Sequence, residues 1–175
     1  MGFINDIKKI VKQIPDERQT LFFSATMPRE IKKLVNEMLY EPVKIEIAPD
    51  QPAADRVRQP VYFADKSLKP DLFAKLFDDL GMFRVIAFTR TKHGADKLVR
   101  QLHQRGSKSQ AIHGNKTQNN RQKALDQFKK GKLHVLVATD IAARGIDVDQ
   151  VSHVINYDVT HEPETYIHRI GRTAR

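Results

Sequence analysis

No cysteine and no tryptophan occur among the 175 residues. Without cysteine there are no disulfides and no thiolate metal sites, an absence that suits a reducing cytoplasm. No apolar run approaches the ~20 residues of a membrane span. The amino terminus, MGFINDIKKIVKQI, alternates apolar and charged residues and lacks the apolar stretch and cleavage site of a secretory signal. The expectation is a cytoplasmic chain with no membrane role. A phosphate-binding loop is also missing. The nearest candidate, HGNKTQ at 113–118, has Asn115 between Gly114 and Lys116, where G-x-x-x-x-G-K-[ST] needs a second glycine so that successive amides wrap the phosphates. His161 and Glu162 open like a zinc-protease helix, but position 165 is threonine and the seven histidines show no ligand spacing. No metal site is expected.

What the chain does have is positive charge, unevenly placed. Residues 1–48 carry 8 Lys+Arg against 7 Asp+Glu, whereas residues 49–175 carry 22 against 14, for a net charge of +9. Such a surplus fits a polyanion partner bound through phosphate contacts, and it equally fits a basic soluble surface. With 40% hydrophobic and 29% charged residues, the composition is that of an ordinary globular protein.

Apolar spacing predicts an amphipathic helix over 3–14, stopped by Pro15, and a short strand in TLFFSAT at 20–26. Thr26 is placed to cap a following helix with Pro28 in its first turn and Ile31, Leu34, Val35 and Met38 on one face. VKIEI at 43–47 alternates like a strand. Residues 49–59 are proline-rich and nearly devoid of large apolar side chains, which reads as a linker. Beyond it, strands are expected at 61–63, 85–88, 110–112, 135–138 and 154–157, with helices at 68–80, 92–104 and 117–130. Short, almost wholly apolar strands alternating with amphipathic helices predict an α/β fold, a parallel sheet covered on both faces.

In such sheets ligands gather beyond the carboxyl ends of the strands. The residues there are Thr89 and Arg90, His113 and Gly114, Thr139 and Asp140, and Asp158 and Thr160. Hydroxyls, an arginine and a glycine amide suit a phosphodiester backbone, although each alone also reads as a strand-end turn. At the carboxyl end of the chain, a helix beginning near Pro163 would set Arg169, Arg172 and Arg175 on neighbouring turns of roughly one face. This basic edge is either a solvated face or a triphosphate clamp, since guanidinium forks match phosphate oxygens.

The segments SAT, IAFTRTKHGA, AIHGNKTQNNR, VLVATDIAARGID and YIHRIGRTAR stand in an order and spacing that resemble the DEAD-box RNA helicases, most of all the bacterial RhlE-type branch. The resemblance spans essentially the whole chain. It implies two RecA-like domains that close over ATP and single-stranded RNA, of which this chain looks like the end of the first (1–48), a linker (49–59) and most of the second (60–175), with a further strand and helix expected after it. MGFINDIKKI resembles the segment just after the family's acidic magnesium motif. On that footing the P-loop and the Mg2+ site belong to a missing first domain, and the chain alone is expected to be inactive.

Carried over by motif, Ser24 and Thr26 would couple nucleotide state to strand separation. Thr89, Arg90, Gly114, Gln118, Arg121 and Thr139 would face the RNA backbone or support residues that do. The resemblance also implies that Asp147 accepts hydrogen bonds from the ATP ribose, that Arg172 and Arg175 are arginine fingers at the γ-phosphate, and that His168 and Arg169 lie at the interdomain interface. Ala174 departs from the glycine common in the family, with a modest expected effect on the approach of Arg175. Two other classes stay open: a non-catalytic RNA-binding module and a DNA-directed translocase of the same superfamily.

Overall fold

The computed structural model describes residues 3–24, 26–47, 57–143, 146, 148 and 150–173. The chain divides into two compact units, Met1–Ala48 and Pro49–Arg175.

In the first unit, helix α1 spans Ile4–Val11 and helix α2 spans Arg29–Met38. Leu34 is the only buried hydrophobic residue among the described residues of this unit, and Ile31, Val35 and Met38 beside it on the same face are half-buried. A Lys8–Glu37 ion pair of 2.6 Å, half exposed, joins the two helices. Three expectations fail here. Thr26 does not cap α2: the N-cap is Pro28, with no side-chain cap bond, and the Thr26 carbonyl instead accepts from the Ser24 hydroxyl. Nor do the described residues of 20–26 and 43–47 form strands. At 43–47 a Lys44–Glu46 ion pair sits on one side of the chain, but Val43, Ile45 and Ile47 are 83–89% exposed. A strand exists only by pairing with a neighbour, and none is present among the described residues.

The second unit is built on a four-stranded sheet of β1 (Val85–Phe88), β2 (Ser109–Ile112), β3 (Val135–Ala138) and β4 (His153–Asn156), in the order β2-β3-β1-β4 with every pair parallel. The central strands, VIAF and VLVA, are buried at every position, as a strand covered on both faces must be, while the edge strands β2 and β4 are only partly buried. Alternation along them separates two cores. Val85, Ala87, Val135 and Val137 pack with Phe73 of α3 (Lys69–Asp79) and Leu98 and Leu102 of α4 (Lys92–His103). Ile86, Phe88, Leu136 and Ala138 pack with Ala124 and Phe128 of α5 (Gln118–Lys129). The expected helices on both faces are therefore present.

Gly81 and Gly131, at φ 57° and 68°, take the left-handed turn just past α3 and α5 that reverses the chain toward the next strand. The strand expected at 61–63 is absent: Val61 and Phe63 are exposed, and among the described residues β4 pairs only with β1. A short helix, α6 (Asp140–Ala143), follows β3, where the sequence reading places no helix. The last helix, α7, runs over Pro163–Ile170 and ends at Gly171, so Arg172 lies in a turn beyond it. No helix among the described residues is long and apolar enough to cross a membrane.

Candidate functional site

Parallel packing brings the carboxyl ends of the four strands, and the amino ends of α4 and α5, to one rim of the sheet. Thr91 caps α4, accepting from the Gly94 amide at 3.0 Å, and Thr117 caps α5, accepting from the Asn120 amide at 3.3 Å. Both helix dipoles thus present their positive ends to the rim, an arrangement that favours anions.

The side chains between these ends divide into two kinds. Arg90, Gly114 and Gln118 are exposed, and a Cβ at Gly114 would meet open space, so its backbone faces solvent. Arg121 is half-buried and donates to Gln118 Oε1 at 3.2 Å, and Lys92 donates to Asn115 Oδ1 at 3.1 Å. Both partners are neutral amide oxygens. Thr89, by contrast, is fully buried: its amide donates to Ala138 O and its hydroxyl to Thr91 O. In this arrangement it supports the α4 cap from within the fold. Thr139 is half-buried, and its carbonyl accepts from the Ala143 amide at 3.0 Å, starting α6.

Beneath the rim lie two polar clusters. His113 is 2% exposed, its Nε2 3.1 Å from Asp96 Oδ2, while Lys116 Nζ lies 3.0 Å from Asp96 Oδ1. Burial acts to raise the Asp96 carboxyl, but the His113 ring and the Lys116 ammonium outweigh it and hold the carboxyl below the ordinary range. The second cluster centres on Arg169, which is 3% exposed and forks onto Asp140, Nε to Oδ1 at 2.6 Å and Nη2 to Oδ2 at 2.9 Å. Asp158 accepts the Arg90 amide at 2.9 Å and sits 3.9 Å from Lys69 Nζ.

Of the basic edge expected from the spacing of Arg169, Arg172 and Arg175, the two described members, Arg169 and Arg172, do not share one helix face. Arg169 turns inward to its carboxylate, and Arg172, past the end of α7 and half-buried, donates to Ile146 O at 3.0 Å. His168 is exposed. Ser24 is exposed and Thr26 half-buried within the first unit. Asp147, Ala174 and Arg175 lie outside the described residues, as do 49–56 of the expected linker. Asp96, Asn156 and Lys69 belong to these clusters, yet no motif in the sequence points to them. The one signal for Asp96 is a carboxylate flanking the apolar stripe of Ala95, Leu98 and Leu102 on α4.

Away from the rim, a groove of about 640 Å3 follows the open edge of β4, lined mainly by apolar side chains such as Val61, Phe73, Ile155 and Val159. The rim offers amides, helix ends and guanidinium groups, the kinds of group that suit backbone phosphates.

Residues 68–175 match the helicase conserved C-terminal domain family. The chain is similar to the ATP-dependent RNA helicase CshA of Listeria monocytogenes, 45% identical over 175 residues that make up 100% of this chain and 34% of that protein. It is similar also to the DEAD-box ATP-dependent RNA helicase CshA of Bacillus subtilis, at 43% identity over 100% of this chain and 35% of that protein. The chain thus spans about a third of the length of these relatives. Among solved structures, S. cerevisiae Dbp5 L327V bound to RNA and ADP BeF3 resembles it with a TM-score of 0.86 at 29% identity, covering 100% of this chain and 46% of that one.

Proposed function

The chain belongs to the helicase conserved C-terminal domain family in its DEAD-box branch, with a RecA-like parallel sheet, and from that premise we propose that it is part of an ATP-dependent RNA helicase. Residues 1–48 are the tail of a first RecA-like domain, 49–59 the linker, and 60–175 the second domain. The rim holds single-stranded RNA by its backbone through Arg90, Gly114, Gln118 and Arg121, with Thr89 and Thr139 behind them. Arg172 and Arg175 are arginine fingers for ATP hydrolysis, and Asp147 receives the ribose. Ser24, Thr26 and His168 carry the coupling between nucleotide and RNA. Closure on ATP and RNA bends short duplexes apart, and hydrolysis lets the cleft reopen.

The observation that carries this reading is the meeting on one rim of two capped helix ends, the exposed Arg90 and the open Gly114. The names of the CshA relatives and the RNA-bound Dbp5 structure support it from outside. The exposed Val43, Ile45 and Ile47 support the placing of residues 1–48 at the end of a larger domain. Among the described residues no three His, Cys, Asp or Glu side chains converge to hold an ion. On the motif likeness the Mg2+ site is placed with an ATP-binding half, and no step here runs through it. The RhlE-type assignment rests on the motif likeness, and a cytoplasmic location on the activity proposed.

Mixing the chain with the separately made ATP-binding half of a CshA-type relative provides the test. Arg172→Ala is expected to lower RNA-stimulated hydrolysis by about 10³-fold or more while sparing RNA binding. Equal losses of both would remove the finger assignment. RNA and DNA of identical sequence, in competition, separate the RNA reading from a DNA-directed one through the 2′-hydroxyl.

A further inference from the structure

The Arg169 side chain donates four hydrogen bonds inside the second unit. Its guanidinium, 3% exposed, forks onto Asp140 and also donates from Nη1 to Asn156 Oδ1 at 2.9 Å and to Asp158 O at 2.7 Å. Its central carbon lies over the Phe88 ring, 5.0 Å from the centroid. Phe88 ends β1, Asp140 follows the end of β3, and Asn156 ends β4. One side chain of α7 is therefore tied to the carboxyl ends of three of the four strands.

Each anchor adjoins a group at the rim or on the helix. Asp158, whose carbonyl Arg169 holds, receives the Arg90 amide on its carboxylate. Asp140 follows Thr139, whose carbonyl starts α6. Three residues along the chain from Arg169, Arg172 donates to Ile146 O, and its own amide donates to Arg169 O at 3.1 Å. A guanidinium whose donors are taken up inside the domain has little left for a phosphate or for a second domain. Its planar fork makes the arrangement rigid, since the Asp140 carboxylate can meet it in only one plane.

We infer that Arg169 is a positioning residue that locks α7 to the strand ends, so that Arg172 on one side and Arg90 and Thr139 on the other move as one body. This rests on the proposed reading of the rim as the RNA face and of Arg172 as an ATP group, and it differs from the interdomain role the resemblance implies. A shift of α7 toward nucleotide then displaces the RNA-facing strand ends directly, because Asp140, Asn156 and Asp158 share its one side chain.

Two conservative variants test this. Arg169→Lys keeps the charge and loses the fork, and Asp140→Asn keeps the shape and loses half the pair. In this chain, backbone amide exchange in both variants is expected to speed up by about tenfold or more at Arg90, and together with it at Arg172 and Thr173, while Ile86 and Val137 in the central strands stay unchanged. Faster exchange in α7 and the turn after it alone, with Arg90 unmoved, would overturn the coupling. So would a uniform acceleration that includes the central strands, because that is what a merely structural ion pair produces. In the enzyme reconstituted with a relative's ATP-binding half, Arg169→Lys is expected to lower RNA-stimulated kcat by about tenfold or more and to leave KM for ATP and for RNA within about twofold. An unchanged kcat would contradict the inference. Should the wild-type mixture fail to turn over, the proposed function falls, and the exchange measurement still decides the role of Arg169.

Discussion

Val43, Ile45 and Ile47 in the first unit and Val85, Ile86 and Ala87 in the second are all apolar, yet the first three are 83–89% exposed and the second three are 0%. The difference lies in their neighbours. β1 has β3 on one side, β4 on the other and helices on both faces, whereas 43–47 has no ladder partner among the described residues. Apolar composition supplies the driving force for burial, and pairing supplies the place for it.

That contrast is tested most strongly in the core of the second unit. Phe128, fully buried on α5 against Ile86, Phe88 and Leu136, should cost about 3–5 kcal/mol on truncation to alanine, read as a fall in denaturation midpoint. Ile45→Ser, by the same measurement, should stay within about 0.5 kcal/mol. Equal losses would mean that the first unit holds a core after all.

A smaller difference between the units is expected at the helix starts. Thr117→Ala removes a side-chain cap from α5 and should cost about 1 kcal/mol, whereas Thr26→Ala removes none from α2 and should be close to neutral. A cost at Thr26 as large as at Thr117 would restore the capping role expected from sequence.

Effects of pH are smaller still. The folded Asp96 carboxyl lies below its unfolded value, so its contribution is present above about pH 4 and is lost as pH falls through the depressed folded value. Asp96→Asn should flatten that part of the acid limb of stability. Glu46, lowered by Lys44 on a fully exposed surface, should leave the limb unchanged in physiological salt when replaced by glutamine. His153 shifts in the same direction, here through burial, which lowers its pKa from 6.5. The unfolded chain then binds a proton that the folded one resists, so stability declines as pH falls below about 6.5, and His153→Gln should remove that slope. Denaturant midpoints at a series of pH values check all three.

The same contrast explains which parts of the molecule are legible in its sequence. β1 and β3 stand at their expected bounds because a run of four buried apolar residues has no polar end to blur it. β2 and β4, half covered at the sheet's edges, differ from expectation by one residue. The segments 20–26, 43–47 and 61–63 carry the apolar character of strands but depend on partners that no local pattern reveals. α6 escapes notice because four residues show no helical period. At the rim, Arg90 and Gly114 are legible from their places just after strands, whereas Gln118 and Arg121 are named only through the motif resemblance. Arg169 is not legible, because helical spacing tells which face a side chain shares and says nothing of Asp140, 29 residues earlier in the chain, which draws it inward.

If this chain supplies an RNA-holding rim and arginines to an ATP site completed elsewhere, its activity must depend on a second half. The decisive experiment is ATP hydrolysis by the chain alone, and by the chain mixed with the ATP-binding half of a CshA-type relative, each with and without single-stranded RNA. Silence from the chain alone and RNA-dependent turnover from the mixture are expected. Hydrolysis by the chain alone would refute the split-site reading, since a complete phosphate site would then lie within these residues.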